Sequence, residues 1–258
     1  IHCRGRSRET AGETLLLDEN READGHEYFS VGAFDVSPNG SLLAWSLDTD
    51  GSEHFTIRIR DLATGTDRND EIADTSWAGT AWSADSTHLF YVTYDEQERP
   101  STVWRHRVGT TRSEDIRIFH EPDERFYVGI DLTRSGEWIV IDADSKTSSE
   151  TWLVPAAAPL ETPTLVRTRT DDVEYHLDHW GDRFVVLTNL GAVDFRVMTA
   201  PIESPAEWTE LIPHETGNRI TRVDAFLRHL VIHEWVAAQP RLRVVHRDGR
   251  STAIDIGS

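Results

Sequence analysis

Cysteine is almost missing from this chain. Cys3 is its single instance, so no internal disulfide can form, and a reducing, cytoplasmic setting is the expectation. Long apolar runs are missing too. No window approaches the ~18 consecutive apolar residues of a membrane helix. No charged-then-apolar signal segment opens the chain, so a membrane is not an expected partner. Lysine is nearly absent: Lys146 stands alone beside 25 arginines. Positive charge as a whole is scarce, with 26 basic residues against 45 acidic ones and a formal net charge of −19. Phosphate binding needs a positive field, so nucleic acid is not an expected partner. A cationic ligand is the natural electrostatic complement, although a solvated acidic surface also serves solubility alone.

Several catalytic signatures are lacking. A nucleophile elbow needs Gly-x-Ser-x-Gly, because small flanking residues let the serine sit on a strained strand-to-helix turn. Gly5-Arg6-Ser7-Arg8-Glu9 fails at its last position. Without an elbow, scattered Ser, His and Asp residues do not make a triad. Neither a dinucleotide-binding nor a phosphate-binding glycine pattern occurs. Twelve histidines invite a metal reading. On a strand, however, His229 and His233 would stand about 13 Å apart, and His176 and His179 would point to opposite faces. No metal and no cofactor is expected.

What the chain does have is β-sequence in a repeating phase. From Gly25 to Thr66, the runs Phe34–Val36, Leu42–Leu47 and Phe55–Leu62 are separated by Ser37-Pro38-Asn39-Gly40 and by Asp48–Gly51. Period-two alternation bounded by Asn-Gly and Asp-Gly turns predicts antiparallel hairpins. A more exposed fourth run, Glu71–Ala73, completes a four-stranded unit. Third-strand positions Ile57, Trp104, Trp152, Arg196 and Val244 recur 47, 48, 44 and 48 residues apart. First-strand positions Asp35, Ala81, Asp131, His176 and Asp224 recur 46, 50, 45 and 48 apart. Four strands every 40–50 residues is the signature of a β-propeller, whose blades stack face to face because none can bury both faces alone. A pair of sandwiches predicts no such steady phase. The blades are expected at 1–19 (partial), 26–75, 80–120, 126–169, 173–213 and 219–258. The partial blade comprises Ile1–Arg4, a polar turn at Arg6–Gly12, and Glu13–Leu17. The last strand of the series is expected at Ser251–Asp255. Helix is expected only as a turn or two at Glu19–Ala23 and Ala156–Leu160. Trp82, Trp104, Trp138, Trp152 and Trp235 fall within the strand phase and are expected in blade-to-blade packing.

Acids recur at or just before the first strand of each unit: Glu27, Asp35, Glu121, Asp131, Glu174 and Asp224. The first strand of a propeller blade lines the axial tunnel, so these carboxylates could form a negative funnel. They could equally cap turns or pair with nearby arginines.

The strings HEYFSVGAFDVSPNG, FTIRIRDLATG, TVWRHRVGT, HEPDERFYVGIDLT, DDVEYHLDHWGDRF and EWTELIP, in this order and spacing, carry a further reading. Together they resemble the propeller of oligopeptidase B, a branch of the prolyl oligopeptidase family of serine peptidases. Tyr127 to Thr133, Val103 to Gly109 and Glu174 to Asp178 are the most specific parts, and the likeness spans essentially the whole chain. The resemblance implies a seven-bladed propeller over an α/β-hydrolase domain, with cleavage of short peptides after Arg or Lys and no cofactor. The family's catalytic Ser, Asp and His belong to that other domain, so no catalytic residue is carried over. The chain alone is expected to be inactive and to be half a blade plus five blades of the ring. It starts at Ile1 rather than Met, as a piece of a longer polypeptide would. Its expected partners are the hydrolase domain of the same polypeptide and short basic peptides. Open blade edges add the expectation of an open arc or edge-mediated self-association. Glu27 and Glu121, each immediately before a first strand, are expected to face the peptidase domain or the incoming peptide. A stand-alone propeller serving as a protein-interaction platform is the alternative. A Gly-x-Ser-x-Gly elbow downstream in the reading frame separates the two.

Overall fold

The computed structural model describes residues 1–5 and 13–254. The expected turn at Arg6–Gly12 and the end of the last strand at Asp255 lie outside the described residues. The chain opens with a two-stranded antiparallel sheet, β1 (His2–Arg4) and β2 (Thr14–Leu17). A single helical turn follows, α1 (Glu19–Glu22), whose first turn is capped by the Asp18 carboxylate accepting from the Asn20 N–H.

Five four-stranded sheets come next, each with its strands in sequence order. The first holds β3 (Ser30–Val36), β4 (Leu42–Asp48), β5 (Phe55–Asp61) and β6 (Thr66–Thr75). The second holds β7 (Thr80–Trp82), β8 (His88–Tyr94), β9 (Pro100–Arg107) and β10 (Ile116–His120). The third holds β11 (Tyr127–Leu132), β12 (Trp138–Asp144), β13 (Ser149–Pro155) and β14 (Thr164–Arg167). The fourth holds β15 (Tyr175–His179), β16 (Arg183–Thr188), β17 (Arg196–Pro201) and β18 (Thr209–Ile212). The fifth holds β19 (Asn218–Phe226), β20 (His229–Val236), β21 (Gln239–His246) and β22 (Ser251–Ile254). This is the all-β, propeller-type arrangement of four-stranded antiparallel blades that the repeat predicts.

The chain forms two compact units. One comprises Ile1–Glu124, Val128–Asp131 and Ala156–Pro159. The other comprises Arg125–Tyr127, Leu132–Pro155 and Leu160–Ser258. Within each, the pleat explains the stacking. Strand β4 is buried along its whole length because its two faces meet two different sheets. Leu43, Trp45 and Leu47 join Leu16 and Leu17 of β2, whereas Leu42 and Ala44 join Trp82, Leu89 and Tyr91 of the second sheet. The other unit repeats this pattern on the fourth sheet. Phe184 and Val186 pack with Val140 and Leu153 of the third, while Val185 and Leu187 pack with Ile220, Leu230 and Ile232 of the fifth.

The hairpin between first and second strands is built alike three times. Ser37, Ser83 and Thr133 each accept an N–H from the start of the next strand, at Leu42, His88 and Trp138. Each hydroxyl also meets the polar side chain two residues on: Asn39, Asp85 or Ser135. These side chains hold the turn as a local alternative to the ladder. In the fourth and fifth sheets the turn is shorter, and that signature is lost.

Four expectations need correction. The fourth strand of the first sheet runs over ten residues, Thr66–Thr75, rather than Glu71–Ala73, because charged side chains mask its alternation. Trp235 is 48% exposed and does not pack between sheets. No helix forms at Ala156–Leu160; helical hydrogen bonding appears instead as a 3-10 turn at Arg112–Glu114. Finally, the fourth-sheet position equivalent to Asp35 is Asp178, not His176. Asp35, Ala81, Asp131 and Asp178 are each the penultimate residue of a first strand, and in β19 that place belongs to Ala225. Asp224 is therefore one residue out of register, which reverses the face its side chain takes.

Candidate functional site

In the first unit, the ends of three first strands converge. Asp35, near the end of β3, accepts a hydrogen bond from the hydroxyl of Thr80, which opens β7. The indole N–H of Trp82 donates to the Asp35 carbonyl at 2.9 Å. Strand β11 is pinned to the same place by the Ile130 N–H, which donates to the Ala78 carbonyl at 3.0 Å. Gly79 makes this approach possible. Its φ is +96°, and a Cβ there would lie 2.4 Å from the Ile130 carbonyl oxygen.

The convergence brings Asp131 close enough to Asp35 for their charges to repel. Burial raises the pKa of Asp35; the Thr80 hydroxyl opposes the rise and the Asp131 charge adds to it. Asp35 is half-buried and Asp131 exposed. A guanidinium or ammonium placed between two such carboxylates would relieve their repulsion, and more strongly than in bulk water because Asp35 is partly desolvated. Electrostatically, this arrangement favours a cation.

The other acids of this unit behave differently. Glu27 is exposed, three residues before β3. Glu121 is 2% exposed. Its carboxylate accepts the Asp123 N–H at 2.8 Å, and its carbonyl accepts from Arg99 Nη2 at 2.9 Å. That geometry makes Glu121 an anchor of the connection into β11.

In the second unit, Asp224 is enclosed by cations. Arg134 donates to its Oδ1 at 2.8 Å, Arg222 donates to the same oxygen at 2.9 Å, and the His233 ring lies 2.8 Å from Oδ2. Burial pulls its pKa upward, but these three partners outweigh burial and hold the carboxyl below its usual range. The turn-or-arginine reading therefore describes Asp224. Glu174 is half-buried beside the Asn189 amide. Asp178, passed over in the sequence, is a raised acid of this unit, as is Asp144 on the second strand of the third sheet, which burial also pushes up. Burial raises Asp178 against the N–H groups of Arg134, His179 and Ala225, the first two at 2.9 and 2.8 Å. The signal for it was its place two residues before the turn, shared with Asp35 and Asp131.

One serine–histidine contact needs a chemical reading. Ser135 Oγ lies 2.9 Å from Nδ1 of His179, and the nearest carboxylate, Glu137, is 3.9 Å from that same nitrogen. A triad needs the imidazole to bridge hydroxyl and acid through its two nitrogens. Here Nε2 is buried without a partner, and the ring packs edge-on against Phe184. Proton relay is not available to this pair. Among the described residues, no three His, Cys, Asp or Glu side chains are grouped to hold a metal ion. No helix among them is long and apolar enough to cross a membrane.

Comparison with known proteins decides the family. The prolyl oligopeptidase N-terminal β-propeller domain matches residues 1–258. The chain belongs to the prolyl oligopeptidase family, as its N-terminal propeller. It is 37% identical over 245 residues to a dipeptidyl aminopeptidase BI of Pseudoxanthomonas mexicana, covering 93% of this chain and 34% of that protein. It is 31% identical over 237 residues to protease 2 of Moraxella lacunata, covering 92% of this chain and 34% of that one. Among solved structures, oligopeptidase B from Leishmania major superposes with a TM-score of 0.93 at 25% identity, over 99% of this chain and 38% of that one. Oligopeptidase B from Trypanosoma brucei superposes with a TM-score of 0.88 at 27% identity, over 98% and 37%. This prolyl oligopeptidase propeller thus spans about a third of the length of the curated relatives it matches.

Proposed function

We propose that this chain is the non-catalytic, substrate-gating propeller of an oligopeptidase B-like serine endopeptidase that cleaves short peptides after Arg or Lys. Its working partner in this reading is the α/β-hydrolase domain of the same polypeptide, in the cytoplasm. The observation that carries the reading is the Asp35–Asp131 pair. Burial and the neighbouring Asp131 charge both raise Asp35, so a basic side chain beside it would be electrostatically favoured. Glu27, exposed just upstream, adds to the same field. Asp178 is the corresponding first-strand acid of the second unit. Glu121 is left out of this reading because it is buried, and Asp224 because it lies one residue out of the first-strand register.

The test uses the intact enzyme and a dibasic peptide. Combined Asp35→Asn and Asp131→Asn substitution is expected to lower kcat/KM about three- to tenfold at low ionic strength, the scale of electrostatic steering, and to flatten its salt dependence. Glu27→Gln is expected to act in the same direction and more weakly. Kinetics that keep the parent's dependence on ionic strength in the double variant defeat the steering role. The 258-residue chain by itself is expected to hydrolyse no Arg- or Lys-containing peptide. Turnover by the purified chain, blocked by a serine-directed inhibitor, defeats the non-catalytic assignment.

A further inference from the structure

The contact between the first and second sheets has an apolar middle. Leu42, Ile57, Ile59 and Ile72 of the first sheet meet Trp82, Leu89 and Tyr91 of the second. An imidazole bridges the two sheets at either end of this contact. At one end, His54, just before β5, places Nδ1 2.9 Å from Asp74 of its own sheet and Nε2 2.7 Å from Glu98 in the hairpin before β9. At the other end, His106 of β9 places Nε2 3.0 Å from Asp70 of β6 and Nδ1 2.7 Å from Asp115. Both His106 and its carboxylates are essentially buried, whereas His54 is about a third exposed. Strand β9 runs from Pro100, just after Glu98, to His106, which separates the two bridges by roughly 20 Å.

We propose that this pair of histidine bridges makes the contact between the first two sheets a protonation-controlled seam, closed while both imidazoles are charged and loosened in two steps as they lose their protons. The chemistry is asymmetric. A charged imidazolium donates from both nitrogens and satisfies a carboxylate on each side. A neutral ring donates from only one, which leaves a carboxylate facing a lone pair. At the buried end, loss of the proton also removes the one positive charge shared by the buried Asp70 and Asp115 carboxylates, in a site that excludes water.

The groups facing each ring support this assignment. Around His106 stand Asp70 from β6, itself 3.4 Å from Arg68, and Asp115 with Tyr91 donating to it at 2.8 Å. The Gly109 N–H also donates to Asp70. Arg105, Arg107 and Arg112 are the nearby cations; His88 on β8 is a further titratable neighbour, but burial and Arg105 lower its pKa. Burial disfavours the charged form of His106, but the contacts with Asp115 and Asp70 outweigh it and push the pKa up to about 9. Asp70 is held below its usual value: burial raises it, and His106 and the Gly109 N–H overcome that. At the exposed end, the contact with Asp74 raises His54; modest burial opposes the rise and Glu98 adds to it. Tyr94, whose ring lies 5.0 Å from His54, has its hydroxyl on the Glu53 carbonyl.

Both pKa values lie above the unfolded histidine value of about 6.5, so the stabilisation is complete below that pH and is lost as pH rises through the folded values. Hydrogen exchange in the intact protein, corrected for the intrinsic effect of pH, reads the seam directly. Protection of Thr66–Thr75 is expected to fall about tenfold or more between pH 7 and pH 9.5. His54→Gln is expected to reduce protection of residues 48–54 and 74–79 about two- to fivefold at pH 7, while the buried step in Thr66–Thr75 stays near pH 9. Constant protection of Thr66–Thr75 through pH 9.5, or an imidazole resonance of His106 that titrates below 6.5, overturns the proposal. His54 is partly exposed, so His54→Gln keeps the test open even where replacements at His106 do not fold.

Discussion

Asp35 shows why a carboxylate's neighbours matter more than its presence. It sits on a first strand like Asp131 and Asp178, and burial raises its pKa with further help from Asp131. An acid whose folded pKa is raised costs stability above that pKa, and the cost fades as pH falls toward the unfolded value of 3.8. Asp35→Asn is therefore expected to raise the melting temperature at pH 7 while leaving it nearly unchanged near pH 3.5, as differential scanning calorimetry would read. Asn can still accept the Thr80 hydroxyl, so the contact itself survives. A variant that is more stable yet poorer at using basic peptides would mark an acid kept for function rather than for folding. Asp224 has the opposite sign. Its folded pKa is lowered, so its contribution is fully present above the unfolded value of 3.8 and is lost progressively as pH falls through the lowered folded value. Asp224→Asn is accordingly expected to lower the melting temperature at pH 7, by an amount that shrinks as pH is taken below 3.8. Residue type does not separate these two aspartates, and the sequence does so only through their distance from the following turn. Each recurs in phase with a first strand, and only the one-residue offset in β19 turns Asp224 toward Arg134, Arg222 and His233.

At the scale of the element, glycine marks where strands must approach. Gly32 sits in a bulge of β3, and an added Cβ would lie 2.7 Å from Ser46 Oγ and 2.9 Å from the Phe55 ring. Gly79 combines a positive φ with a backbone carbonyl at 2.4 Å from the position a Cβ would take. Backbone yields less easily than a ring, so Gly79→Ala is expected to destabilise by about 2–3 kcal/mol, measured by denaturant unfolding. Because this substitution forces β7 and β11 apart, it should also weaken the coupling between Asp35 and Asp131. The alternation of Phe55–Asp61, buried at Phe55, Ile57 and Ile59, was legible in the sequence because its partners are apolar on one face. Strand β6 was not, since Asp70 is buried by pairing with His106, and a charged residue gives no period-two signal.

At the scale of the molecule, stacking of sheet on sheet carries the fold. Trp82 is fully buried between sheets and also donates to the Asp35 carbonyl, so it joins the core to the candidate site. Trp82→Ala is expected to cost about 3–5 kcal/mol and to disorder the acidic pair, visible as lost near-ultraviolet ellipticity. Trp235, half exposed on β20, is expected to tolerate the same change within about 1 kcal/mol.

The sequence alone determined the four-strand period, the propeller class and the family, because alternation and turn chemistry are local and repeat every 40–50 residues. Family-typical strings are local as well. Tertiary structure alone decided the character of each acid, because a carboxylate's pKa depends on what other strands bring to it. Thr80 and Asp131 meet Asp35 from strands 45 and 96 residues away in the chain, and Arg134 reaches Asp224 across 90. No spacing rule along the chain encodes those meetings. They follow from the register of each first strand and from the faces on which the sheets stack.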